Sequence, residues 1–289
     1  MVIRSKLVAI PVFVFAFAGI AEGRGLLEKF KLPEQASARV SSHEKNQKEV
    51  LSLYSMEQRR PSFESCEDQF PASRPLPLTL VPSTLKPIAL CSDNFAVLYS
   101  LTSKTPLVVV ERLSAAQLRD AKGEERTNQF YPDLRIPKEG RAELSDYRAQ
   151  KPAVDRGHQA PAGDAPNSRA MKQSFVLSNI VPQDPANNRK VWRKVETDVR
   201  KFAQRASGNV FVFTGPIFDD GHETVGKGKV WKPTRLFKLV YDESSNRAWA
   251  YVLLNGNTRV ERPMDYQTFL KATGMHLLDG ISVTGTIAR

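Results

Sequence analysis

The sequence predicts an α+β domain organised around a mainly antiparallel central sheet. Two observations carry that prediction. Short runs rich in β-branched and aromatic residues recur between turn signals from residue 94 onward, and one long helical pattern over residues 188–206 is inserted among them. Strands in series around a single helix favour antiparallel pairing over the strict alternation that builds parallel sheets. With 289 residues, 41% of them hydrophobic, the chain can bury a substantial core without a metal or a disulfide framework. Collagen-like, mucin-like and wholly disordered classes are excluded.

The chain begins with Arg4 and Lys6, an apolar run over 7–20, and small residues at Ala16, Ala18, Ala21 and Gly23. This reads as an export signal over 1–23, cut after Ala18, Ala21 or Gly23. The alternative is a membrane anchor, but a run of about 14 residues falls short of the ~20 that a spanning helix needs. Export implies a secreted or periplasmic protein with no stable membrane association after cleavage. Residues 24–62, rich in Glu, Lys, Gln and Ser, read as a polar N-terminal arm, and residues 63–289 as the folded domain.

In an oxidising compartment the sole cysteine pair, Cys66 and Cys91, favours a disulfide, worth about 3.5 kcal/mol in the chain-entropy picture. Two unpaired thiols are the alternative. The prolines between them, Pro71, Pro75, Pro77, Pro82 and Pro87, indicate an extended covering loop. Residues 95–101 and 106–113 read as a hairpin joined by a polar turn, and 117–152 as a functional loop or a partly disordered segment. A short strand is expected over 174–179. Val191, Trp192, Val195, Val199, Phe202 and Ala203 recur at helical spacing before Ser207 and Gly208. Further strands are expected over 209–214, 234–241 and 248–254, then a short helix over 265–271 and a tail strand near 281–286.

The chain carries 42 Lys and Arg against 31 Asp and Glu, a net charge of +11. Such an excess attracts polyanions, nucleic acid or an acidic membrane surface, without specifying a fold. The densest chemical cluster is Asp155, Arg156, Gly157 and His158. An imidazole that titrates near neutrality, beside a guanidinium able to bind an anionic oxygen in bidentate fashion, suits proton transfer on a charged substrate. An ordinary surface turn is the bland alternative. Asn188, Trp192, Glu196 and Arg200 then follow at successive steps of four, which puts three polar groups on one helical stripe with Trp192 on the packed side. A carboxamide oxygen is a hard ligand for Mg²⁺, Mn²⁺ or Ca²⁺. Against that stands a plain surface ion pair of Glu196 with Arg200 and an N-cap role for Asn188.

Taken with Leu177-Ser178-Asn179, Pro182-Gln183 and the ordered spacing from Asn179 to Asn188, Glu196 and Arg200, the Asp155–His158 box resembles the DNA/RNA non-specific endonucleases. The resemblance covers roughly residues 91–285. Two departures stand out. Arg189 occupies a position where the family often has Gln, and Asn187 is a rival to Asn188 as a ligand. The resemblance implies a ββα-metal (His-Me finger) site with a long catalytic helix, and cleavage of DNA and RNA that leaves 5′-phosphate ends. In it His158 is the general base, and one Mg²⁺, with Mn²⁺ as a substitute, is held by Asn188. Glu196 orients water, while Arg156 and Arg200 bind phosphate oxygens. Asp155 and Asn179 support the site.

Lys190, Arg193, Lys194, Lys201 and Arg205 either line a substrate groove or form a solvated face. The acidic run 219–223 around His222 is a cation loop or a plain turn. An exported basic protein that binds nucleic acid without cutting it is the main rival, a phosphodiesterase acting on small nucleotides or phospholipids the second, and a homodimer is left open.

Overall fold

The computed structural model describes residues 48–286; the expected signal segment 1–23 and the arm up to residue 47 lie outside them. Its strands are β1 (Pro87–Cys91), β2 (Ala96–Ser100), β3 (Thr105–Leu113), β4 (Asp155–His158), β5 (Ile180–Gln183) and β6 (Val210–Ile217). They continue with β7 (Thr224–Val225), β8 (Val230–Trp231), β9 (Arg235–Asp242), β10 (Arg247–Leu254) and β11 (Met264–Asp265). The helices are α1 (Ala115–Asp120), α2 (Ser168–Ser174), α3 (Arg193–Ala203) and α4 (Tyr266–Thr273). Seven strands form one antiparallel sheet in the order β1-β2-β3-β6-β9-β10-β11, and β4 with β5 and β7 with β8 form separate ribbons.

The central strands are apolar at nearly every position because both faces of the sheet are covered. Alternate side chains of a strand point to opposite faces. In β6, Phe211 and Phe213 enter a core with Phe70, Phe237 and Phe269, while Val210 and Val212 enter a second core with Trp192, Val195 and Val199. Helix α4 closes the first core and α3 the second. The Cys66–Cys91 disulfide, with a Cα–Cα distance of 5.6 Å, ties the covering segment to the end of β1 inside the first core.

Several expectations need correction. Residues 174–179 are not a strand: they hold the end of α2 and a 3-10 turn (Leu177–Asn179), and the strand begins at Ile180. The apolar run there was too short to distinguish a turn from a strand. The helix expected over 188–206 is a π-helical turn (Asn187–Trp192) leading into α3. Its start is set by Asp184, whose side chain accepts from the amides of Ala186 and Asn187, with Pro185 in the first turn. The tail near 281–286 contributes a single bridge, Gly285 with Arg247.

The part of the polar arm within the described residues packs into the domain through buried Leu53 and Tyr54 against Val176. Of residues 117–152, the first four end α1 and the rest run as a long loop with 3-10 turns at Lys138–Gly140 and Leu144–Tyr147, anchored by the fully buried Asp133–Arg135 pair at 2.6 Å and by Ser178 Oγ donating to Asp133. Tyr131 of this loop pairs with Val176, just before the turn that leads into β5.

Trp192 is fully buried at the centre of the second core. Trp192→Ala is therefore expected to lower the unfolding free energy by about 3–5 kcal/mol, the usual result of emptying a large aromatic site. Denaturant titration checks this, and a loss below about 1 kcal/mol would show that the indole is not the wedge between helix and sheet.

Candidate active site

The β4–β5 ribbon places His158 opposite Ile180 and Gly157 opposite Val181. Only glycine fits at 157, since a Cβ there would stand 1.9 Å from Oε1 of Gln183. Just beyond the ribbon, Asn179 Nδ2 donates to the carbonyls of Ala160 and Ser174, both at 2.9 Å, and its Oδ1 accepts from the Ala160 amide at 2.8 Å. Asn179 is fully buried and does not reach the cavity described below; its amide braces the chain that leaves His158.

The imidazole of His158 is 8% exposed and packs between Phe175 and Phe130, at ring separations of 4.8 and 5.4 Å. Burial, together with the positive charges of Arg126 and Arg156, pushes its pKa down to about 3. The ring is therefore neutral at pH 7, with one unprotonated nitrogen, and Nε2 is buried without a protein partner. Arg156 lies over the Phe130 ring at 4.1 Å and Arg126 over Phe175 at 4.9 Å, so the same two aromatic rings position both the histidine and its cationic neighbours.

The π-helical turn presents two consecutive carboxamides to different surroundings. Asn187 is fully buried: its Oδ1 accepts from Gln183 Nε2 at 2.7 Å, and its Nδ2 donates to the Leu254 carbonyl at 2.6 Å. Asn188 donates from Nδ2 to Asp155 Oδ2 at 2.9 Å, which aims its amide and commits none of the lone pairs of its Oδ1 to that bond. Asp155 also receives both arms of Arg189, at 2.8 and 2.7 Å. Burial alone would raise the Asp155 pKa, but the Arg189 and Asn188 bonds hold it below the ordinary carboxyl value. Arg189, the departure from the family pattern, thus carries an ion pair at the site.

His158, Asn188, Glu196 and Arg200 border one cavity of about 560 Å³. Arg126, Arg156, Arg189 and Arg193 complete a wall with five guanidinium groups. Glu196 is half-buried, and burial raises its carboxyl to about 7 against the pull of Lys238 and Arg200. Arg200 is held from outside the cavity by Asp164, in the turn that follows the His158 segment. Among the described residues no three His, Cys, Asp or Glu side chains cluster as a metal site. The donor set instead fits a hard cation that keeps most of its water: one carboxamide oxygen aimed by Asp155, with a carboxylate on the same cavity wall.

Of the residues expected from sequence, His158, Arg156, Asn188, Glu196, Arg200 and Arg193 line this cavity, and Asp155 touches it through Asn188. Lys190 is exposed and outside the lining. Two of the three acids around His222 are engaged elsewhere, Asp219 with Arg235 and Glu223 with Lys232, which leaves the run 219–223 without a converging set of cation ligands. Arg126 and Phe130 went unrecognised because the loop that carries them has no periodicity. Asp164, Glu111 and Lys238 carry no motif; only Lys238, a lone charge in the apolar strand segment Leu236–Val240, leaves a readable signal in the sequence.

Residues 79–282 match the profile of the DNA/RNA non-specific endonuclease family. Nuclease C1 of Cunninghamella echinulata var. echinulata is 31% identical over 212 residues, 66% of this chain and 83% of that protein. Nuclease EXOG, mitochondrial, of Danio rerio is 39% identical over 160 residues, 51% of this chain and 45% of that protein; the chain spans somewhat under half of that relative's length. Endonuclease G, mitochondrial, of Homo sapiens is 30% identical over 190 residues, 62% of this chain and 63% of that protein. The EndoG chain of an EndoG/EndoGI inhibitory complex superposes with a TM-score of 0.61 at 26% identity, covering 68% of this chain and 89% of that one. The secreted or periplasmic destination read from the N-terminus is corrected by these relatives, several of which are named as mitochondrial proteins. The profile match over well over half of the sequence, together with the shared ββα fold, establishes that this chain belongs to the DNA/RNA non-specific endonuclease family.

Proposed function

We propose that the protein hydrolyses phosphodiester bonds of DNA and RNA with little sequence preference, using the cavity between the β4–β5 ribbon and α3. The observation that carries this reading is the meeting of a neutral buried imidazole and an aimed carboxamide oxygen in one arginine-walled cavity. Arg156 and Arg200 bind the non-bridging oxygens of the scissile phosphate, where charge accumulates as the attacking oxygen adds. His158 accepts a proton from the attacking water through its unprotonated ring nitrogen. The water oxygen bonds to phosphorus, the P–O3′ bond breaks, and the 3′ oxygen leaves as an alcohol with a proton from solvent, so the phosphate stays on the 5′ end of the other product.

Asn188 Oδ1 is the protein ligand for a divalent cation, Mg²⁺ with Mn²⁺ as a substitute. When bound, such a cation supplies charge neutralisation at the phosphate and the leaving oxygen. Glu196 accepts hydrogen bonds from the water of the cavity and so orders it. Arginines that contact phosphates carry no base information, which fits a substrate range covering DNA and RNA.

Purified protein is expected to degrade plasmid DNA and RNA with Mg²⁺ and to leave both intact with a chelator. Intact substrate under every metal condition would overturn the nuclease reading in favour of simple binding. His158→Ala is expected to lose about 10²–10⁴-fold in kcat while still binding nucleic acid, as gel retardation in chelator would show; full activity would place the base elsewhere. Asn188→Ala is expected to weaken Mg²⁺ binding measured by calorimetry with little change in thermal stability. Asn187→Ala should instead lower the melting temperature, and the reverse outcome would move the ligand by one residue.

A further inference from the structure

Two ionisable side chains point into the apolar interior beneath α3. Lys238 in β9 stands between Phe237 and Leu239, and Glu111 in β3 follows Val108, Val109 and Val110; each is 1% exposed. Strand parity puts Glu111 with Leu113, and Lys238 with Leu236 and Val240, on the face that packs against α3. Lys238 Nζ donates to Thr214 Oγ1 at 2.6 Å on the neighbouring strand and lies 5.5 Å from the centre of the Trp192 indole. Oε1 of Glu111 is buried without a hydrogen-bond partner. Above them Asp164, 3% exposed, accepts from Arg200 Nε. The same guanidinium lies against Gly163, where a Cβ would come within 3.0 Å of Nη2.

These side chains form one electrostatic unit with two residues of the cavity wall, since the charges of Glu111, Asp164, Glu196, Lys238 and Arg200 all act on one another. Burying an ammonium or a carboxylate costs several kcal/mol even after relaxation, and an apolar replacement of a buried charge set is often neutral or stabilising. Stability alone therefore does not account for a lysine and a glutamate at these strand positions. The two members of the set that reach the cavity, Arg200 and Glu196, supply the account.

We propose that Lys238, Glu111 and Asp164 are positioning residues, through which the face of the central sheet fixes the guanidinium of Arg200 and the carboxylate of Glu196 where the scissile phosphate is cleaved. None of the three touches substrate. This rests on the nuclease reading above. If Arg200 and Glu196 lose that support, the other guanidinium groups still hold the polyanion in the cleft, but alignment in the transition state is lost. Such a change appears in kcat and leaves KM nearly constant.

The test compares Lys238→Met, the double variant Glu111→Met/Lys238→Met, and Asp164→Asn with the unmodified protein, for kcat and KM on a defined DNA duplex and for denaturant stability. Lys238→Met is expected to be destabilised because its buried acids lose their counter-charge, and the double variant to recover stability. The double variant and Asp164→Asn are each expected to show a 10–100-fold lower kcat with KM altered only a few-fold. A double variant with recovered stability and unchanged kcat would overturn the proposal, as would a rise in KM alone. Should the double variant not fold, Asp164→Asn decides by the same criteria. Cleavage by the unmodified protein separates the two readings: its absence refutes the nuclease assignment, whereas its presence with insensitive variants refutes only the positioning role.

Discussion

Repulsion among the guanidinium groups around one small cavity is the constraint to which the rest of the site answers. Two like charges 4 Å apart cost about 4 kcal/mol where the effective dielectric constant is near 20; of the five arginines on this wall, Arg193 is exposed to solvent and the other four are held by acids or aromatic faces. Asp155 holds Arg189, Asp164 holds Arg200, and the rings of Phe130 and Phe175 sit under Arg156 and Arg126. Every one of these supports comes from a different part of the chain from the arginine it restrains. A residual positive field remains, and it favours an anionic ligand.

The same field sets the state of the histidine. Placed between two aromatic rings and beside two cations, His158 has little reason to hold a second proton, and its neutrality follows from its surroundings. Glu196 experiences the opposite balance: burial resists its ionisation while Lys238 and Arg200 favour it, which leaves its carboxyl poised near neutrality. One cavity thus holds an imidazole that stays unprotonated at neutral pH and a carboxyl raised to about 7.

Much of this was legible in the sequence. The Asp155–His158 box and the intervals to Asn188, Glu196 and Arg200 point to residues that line one cavity, Glu196 and Arg200 because a helix puts residues four apart on a shared face. The strands β2, β3, β6, β9 and β10 could be read from β-branched and aromatic runs, and the position of Trp192 from its apolar neighbours. Where the reading failed, the cause was physical. The π-helical turn leaves no mark in residue type, so the helix seemed to be continuous. Arg126 and Phe130 arrive on a loop positioned by the buried Asp133–Arg135 pair, a tertiary contact that no local pattern encodes. Asp164 looks like an ordinary turn acid until Arg200, thirty-six positions later, folds onto it.

Neighbouring Asn187 and Asn188 show how finely such a site is indexed. One amide is immobilised on both sides by Gln183 and the Leu254 carbonyl, while the adjacent one borders the cavity and is tied to Asp155 through its Nδ2. Chemically identical side chains thereby meet different surroundings, one inside the fold and the other at the cavity wall. Which of two identical letters borders the cavity is thus decided by the winding of that turn, and the local sequence alone does not distinguish them.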